Sequence, residues 1–373
     1  MNRRLQSIQM LRGVAALGVV VHHIFMVLRD HPSLAGRPLF APIFGFANFG
    51  ATGVDLFFVI SGFIMAHVIG RGRDGATDFL LDRAARILPM FWLASFAYIG
   101  WMLLRGASFG PGAYIGTVLP VTFDADGGYR FPALYAGWTL AFEFCFYAIA
   151  AMVIAFRPAR AVPLLAAIVS LLALGGLTPA LRALAPLAFN PILGEFALGI
   201  LVWMAWRGEW RGISGSTLTI GVLLLALVVV SPLTPGISVH PDNTLSGAGS
   251  LSRLIFLGLP YAVIVAGALH CAPREGIAAR LFGRLGDASY SIYLIHPLVL
   301  EMARAALSGG PQLGPEMLAV VLLIASAAAG VGVHIAIERP LLRGLKALRS
   351  RLHRPAAHRI TIPPSTMIDW PVM

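Results

Sequence analysis

Residues 7–24 read SIQMLRGVAALGVVVHHI, and this stretch decides the class of the molecule. It is apolar enough to enter a bilayer as a helix, yet it holds Arg12 and His23 with ten residues and no formal charge between them. Eleven positions at roughly 100° each return a helix to within about 20° of its starting face, about 16 Å further along. Arg12 and His23 therefore share one stripe, three turns apart, while His22 points roughly 80° away from it. An arginine facing lipid is costly, so that stripe is expected to face a protein interior or a water-filled cavity.

The rest of the chain agrees with a membrane environment. Of 373 residues, 58% are hydrophobic and 12% charged, against about 25% charged in soluble domains, and the mean hydropathy is +0.80. Apolar windows recur near 8–28, 48–69, 86–105, 134–156, 161–178, 189–206, 216–232, 253–271, 286–307 and 316–338. Each is of a length suited to crossing a hydrocarbon core. The expectation is an all-α, polytopic integral membrane helix bundle of about ten transmembrane helices. With the N-terminus inside, 20 of the 28 basic residues fall on cytoplasmic segments and 7 outside, Arg253 among the latter, with Arg12 lying within the first span. This bias places both termini in the cytoplasm.

That bias also accounts for much of the net charge of +11, so no nucleic-acid partner is needed to explain it; the lipid bilayer is the expected surface. Residues 1–342 read as one transmembrane domain. Residues 343–373 read as a basic cytoplasmic tail, amphipathic at first, apt to lie on anionic headgroups, and disordered toward its Pro-containing end. The first span is expected to act as an uncleaved anchor. Residues 233–252, rich in Gly, Pro and Ser, read as an exposed loop. Cys145 and Cys271 fall inside spans and read as small apolar residues, not as a disulfide or metal pair. No metal site and no tightly bound cofactor is expected.

Several polar residues interrupt the apolar windows. The second span begins GVDLFFVISGF (53–63), with Asp55 at its outer end, Ser61 near its middle, and Gly53 and Gly62 able to admit close neighbours. Asp55 reads either as a helix-start acid at the interface or as part of a polar site; Ser61 suits a backbone hydrogen bond better than nucleophilic chemistry. The fourth span, GWTLAFEFCFY (137–147), sets Glu143 among aromatics. A lone carboxyl there must be paired, protonated or wet; it either orients His23 or pairs with an arginine. Trp138 suits an interfacial anchor more than a substrate platform, and Glu195 has less context. In DASYSIYLIHP (287–297), Ser289, Tyr293 and His296 stand at i, i+4 and i+7 on one face. Arg83 and Arg86 form a basic fork in DRAARILP (82–89), suited to phosphate groups. Glu338, Arg339 and Pro340 close the tenth span, with Glu338 and Arg339 read as a structural ion pair.

Taken in order, Arg12 with ten residues to His23, then GVDLFFVISGF, RxxRILP, WTLxxE, DASYSIYLIHP and IERP resemble the acyltransferase-3 family of membrane O-acyltransferases. The resemblance runs from about Ser7 to Leu342, and SIQMLRGVAAL and FFVISGFIMAH are similar to its exopolysaccharide-modifying, succinoglycan-type branch. Thr139 stands where the family often has Ser. The family implies transfer of an acyl group, commonly acetyl, from cytoplasmic acyl-CoA to a glycan hydroxyl in the bacterial inner membrane. Polysaccharide-biosynthesis proteins would be its partners.

Within that frame His23 is the expected general base, with Glu143 as its helper. An imidazole, with an unperturbed pKa of about 6.5, suits removal of a hydroxyl proton near neutrality. Arg12, Arg83 and Arg86 are expected to hold the CoA moiety, and Ser61, Trp138, Ser289, Tyr293 and His296 to line the substrate path. Two other functions remain open on the residues alone. One is a transporter or flippase of a glycan or lipid-linked intermediate, which the lack of an internal repeat weakens. The other is an O-acyltransferase for a non-carbohydrate acceptor.

Overall fold

A computed structural model describes residues 3–29, 50–72, 75–124, 128–156, 159–208, 210, 212–231, 237, 240–271, 276–307 and 313–352. Among these residues the chain is helical, and its one pair of bridged extended residues, Phe123 and Tyr129, belongs to no strand. Each apolar window of the sequence coincides with a helix. In chain order these are α1 (Arg3–Arg29), α2 (Gly53–Ile69), α3 (Ala76–Leu104), the short α4 (Pro111–Val118), α5 (Thr139–Ala155), α6 (Ala161–Gly175) and α7 (Pro179–Leu184). There follow α8 (Leu193–Arg207), α9 (Gly215–Val230), α10 (Pro241–Leu245), α11 (Ser250–Arg253), α12 (Leu259–His270), α13 (Ile277–Asp287), α14 (Ser289–Leu307), α15 (Pro315–Val333) and α16 (Arg339–Leu352).

Among the described residues, five helical segments are long and apolar enough to cross a membrane: Leu5–Arg29, Ala76–Leu104, Tyr135–Ala155, Ser250–His270 and Pro315–Arg349. Gly53–Ile69, Ala161–Gly175 and Gly215–Val230 are shorter apolar helices. The molecule is an all-α membrane bundle. Local chemistry explains several boundaries. Ser214 and Thr217 exchange side-chain and backbone bonds in a capping box that starts α9, and proline opens α4, α7, α10 and α15, where its missing N–H has no helical partner to lose.

Helix α1 runs through the middle of the bundle, packing on α2, α12, α13, α14 and α15. Helix α13 was not anticipated: its eleven residues carry one apolar stripe, with Ala279 and Leu285 buried, and at about 16 Å it is too short to span. The α2–α8 contact is close. A Cβ added at Gly62 would overlap the carbonyl oxygen of Phe196, and one at Gly199 the carbonyl oxygen of Val59, so each helix needs the other's glycine to approach. The glycine at 53 admits α1 in the same way, against the carbonyl of Ala15.

Two expectations about connections change. Residues 240–252 are not simply an exposed loop: α10 and α11 fold there, with Thr244 and Ser250 fully buried. Asn190 Nδ2 donates to the carbonyl of Thr244 at 2.8 Å, which draws the segment inward by satisfying its backbone. The division at residue 342 falls within α16, which continues α15 through a π-helical turn at His334–Glu338. The tail's expected disordered end, from residue 353 onward, lies outside the described residues.

Candidate active site

A cavity of about 320 Å³ lies between α1, α2, α3, α5 and α14. One part of its wall is basic. Arg12 of α1 and Arg83 and Arg86 of α3 converge on it, together with Glu143 and Tyr147 of α5. The spacing 83/86 puts both guanidinium groups near one face of α3. Arg83 lies 5.8 Å over the Phe79 ring, and its Nε is buried without a hydrogen-bond partner among the described residues. Arg12 makes a long bond, 3.4 Å, to Gln9 Oε1. Three cations face one carboxylate, so the wall carries a formal excess of positive charge and unspent N–H donors. An anion with several acceptor oxygens is what such a wall can hold.

Ser61, Thr139, Ser289 and Tyr293 line the same cavity. The Ser289 hydroxyl is buried without a hydrogen-bond partner among the described residues. Tyr293 donates to the carbonyl of Ala136 at 2.8 Å and lies 3.2 Å from Thr139 Oγ1, tying α14 to the 3₁₀ turn Tyr135–Trp138 that leads into α5. Val54, Phe57, Ile60, Phe63 and Leu140 make much of the remaining wall apolar.

One residue beyond that wall stands an imidazole pair. The ring of Tyr293 is 6.0 Å from that of His296, and His296 Nε2 is 3.1 Å from His23 Nδ1. His23 Nδ1 also lies 3.0 Å from the carbonyl of Val19, and the Tyr135 ring packs against His23 at 5.1 Å. The stripe argument therefore holds: Arg12 faces the cavity and His23 faces the bundle interior, at successive levels of one helix. His23 and His296 do not themselves line the cavity.

Four expected relationships are corrected. Glu143 does not meet His23: it accepts a 3.3 Å bond from Tyr147, one turn along α5, and faces Arg12, Arg86 and Arg83. Trp138 is neither an interfacial anchor nor part of the cavity wall; it is buried in the core, edge-on to Phe142 at 6.3 Å. Glu338 turns away from Arg339 and accepts from Ser291 Oγ at 2.6 Å, with His334 Nδ1 at 2.7 Å. Asp55 does stand in the first turn of α2, but it is fully buried and gripped by Arg253, an arginine the charge count had assigned to an outer segment. Glu195 packs beside this pair, both its carboxylate oxygens buried without a hydrogen-bond partner among the described residues.

Tyr147, Tyr135 and Arg253 escaped the sequence reading. Tyr147 had a usable signal, its i+4 spacing from Glu143. Tyr135 and Arg253 had none, because each acts across elements distant in sequence.

Residues 5–337 match the model of a family described as an acyltransferase domain. The exopolysaccharide production protein ExoZ of Rhizobium meliloti (strain 1021) is 32% identical over 320 residues, 80% of this chain and 92% of the relative. Acyltransferase MdmB of Streptomyces mycarofaciens is 25% identical over 91% of this chain and 92% of its own length. The putative peptidoglycan O-acetyltransferase YrhL of Bacillus subtilis (strain 168) is 29% identical over 28% of this chain and 14% of the relative. No solved structure matches the chain.

Proposed function

Because the chain belongs to the acyltransferase family that its residues 5–337 match, and is a membrane O-acyltransferase, we propose that it moves an acetyl group from acyl-CoA to a hydroxyl of an exopolysaccharide. The observation that carries the donor assignment is the convergence of Arg12, Arg83 and Arg86 on one cavity wall. CoA brings phosphate groups, which suit a cluster of guanidinium donors with unfilled hydrogen bonds. A pantetheine arm laid along the apolar wall carries the thioester toward Tyr293 and the imidazole pair beyond it. Glu143 offsets part of the positive charge, so that the wall is not a bare cluster of like charges.

His23 is the general base in this reading. It removes the proton from the acceptor hydroxyl as that oxygen attacks the thioester carbonyl; the carbon–sulfur bond then breaks and the thiolate takes up the proton. Such assistance is worth about 10² to 10⁴ in rate. The exopolysaccharide acceptor is supported by the name of the relative that is 32% identical, and acetyl by that of the partial relative. The positive-inside bias supports a bacterial inner membrane location with the basic wall supplied from the cytoplasm. A glycan transporter would move unmodified polymer and need no thioester.

The test is transfer of label from [¹⁴C]acetyl-CoA to de-O-acetylated exopolysaccharide by membranes carrying the protein. The His23→Ala variant should accumulate normally and transfer nothing. Polymer that carries the same acetyl content with and without the protein would overturn the reading.

A further inference from the structure

Two carbonyl groups set the protonation pattern of the histidine pair. A carbonyl oxygen has no hydrogen to give, so an imidazole nitrogen bonded to one must carry the hydrogen. His23 Nδ1 lies 3.0 Å from the carbonyl of Val19, and His296 Nδ1 lies 3.2 Å from the carbonyl of Ile292, each one turn back on its own helix. Both neutral rings are then Nδ1–H tautomers. His296 Nε2 is left with a lone pair, and it points at His23 Nδ1 from 3.1 Å. The N–H of His23 forks between Val19 and His296, and the lone pair of His23 is confined to Nε2.

We propose that His296 is a positioning residue for the base, accepting from the Nδ1–H of His23 so that Nε2 of that ring is held ready to take the hydroxyl proton. The inference rests on His23 acting as the base. When Nε2 gains the proton, His23 becomes an imidazolium and its Nδ1–H···Nε2 contact to His296 becomes charge-assisted, which strengthens it in the transition state relative to the ground state. The acceptor O–H bond breaks, its oxygen bonds the acyl carbon, the carbon–sulfur pair leaves on sulfur, and the proton on His23 Nε2 returns as the S–H of free CoA. His296 neither gains nor loses a proton overall. His296 is fully buried in the corner formed by Tyr293 and Tyr135, so its Nε2 lone pair is turned to His23 and not to bulk water.

Three replacements at 296 separate this role from mere packing. The side-chain oxygen of Gln reaches about where Nε2 stands, whereas that of Asn stops about where Nδ1 stands; Phe fills the space without an acceptor. With membranes carrying the full chain, [¹⁴C]acetyl-CoA and de-O-acetylated exopolysaccharide, His296→Asn and His296→Phe should each lower kcat about a hundredfold, with KM for acetyl-CoA within about twofold of the parent. His296→Gln should restore a tenth of parental kcat or more. Equal kcat in the Gln and Asn variants, or parental kcat in the Asn variant, overturns the proposal, and the Gln–Asn comparison stands even where the Phe variant fails to accumulate. His23→Ala is run alongside. If that variant still transfers label, the base assignment itself has failed; if it is inactive while His296→Asn is parental, only the role of His296 falls.

Discussion

Arg253 holds both carboxylate oxygens of Asp55, through Nε at 2.9 Å and Nη2 at 2.7 Å, with the two side chains 1% and 0% exposed. This fork joins the start of α2 to α11. Thr244 Oγ1 takes a further N–H of the same guanidinium at 3.2 Å, which brings in α10. A π-helical turn, Leu254–Gly258, begins directly after Arg253, and its last residue packs on Glu195 of α8. Three parts of the chain distant in sequence, α2, α8 and the α10–α11 segment, thus meet at one buried ion pair.

Removing one half of that pair strands the other away from water. Asp55→Ala should destabilise the bundle by about 3 to 5 kcal/mol, seen as a lower unfolding temperature in detergent and reduced accumulation in membranes. Arg253→Lys keeps the charge and loses the fork, so it should fall between Asp55→Ala and the parent. Parental stability in Asp55→Ala would show that the pair is not fully desolvated.

The basic wall makes a prediction about donors. Charge-assisted bonds contribute about 1.5 to 3 kcal/mol each, so Arg83→Ala or Arg86→Ala should raise KM for acetyl-CoA roughly tenfold or more. Acetyl-pantetheine, which has no phosphate, should be used equally well by variant and parent. If both donors weaken together, the arginines shape the cavity rather than hold phosphate.

Helix α2 meets α8 through reciprocal glycines, and added volume has nowhere to go. Gly62→Leu and Gly199→Leu should each cost at least the ~1 to 3 kcal/mol typical of overpacking, because the obstacle is a backbone carbonyl in both cases. Membrane accumulation well below the parent is the expected readout; a fully stable Gly62→Leu variant would mean that the two helices can separate.

Not every ion pair carries such weight. Arg349 of α16 reaches Asp78, at 2.5 Å, and Asp82 on α3, but the three side chains are 29%, 43% and 47% exposed. Exposed pairs contribute about 0 to 1 kcal/mol. Arg349→Ala should therefore leave stability and acetyl transfer within about twofold of the parent, with faster proteolysis confined to the end of α16. A large loss of transfer would instead tie α16 to the arginines one turn along α3.

Hydropathy and helical period placed each apolar window on a helix, and the eleven-residue spacing put Arg12 and His23 on one inward stripe. Both are local properties of a 1.5 Å, 100° repeat, so they were legible before any contact was known. The arginine fork at 83 and 86 was legible for the same reason. Partners were another matter. Glu143 was open between His23 and an arginine and lies with Arg12 and Tyr147, while the ring that meets His23 is His296, 273 residues away in the chain. Arg253 was counted as an outer charge and is buried. A polar group inside a bundle takes whichever donor or acceptor helix packing delivers, and crossing angle and rotation about the helix axis depend on distant pairs such as Gly62 with Phe196. The linear code thus settled which segments form apolar helices and that Arg12 and His23 turn inward; only assembly of the bundle chose who meets whom, since burial makes pairing compulsory without naming the mate.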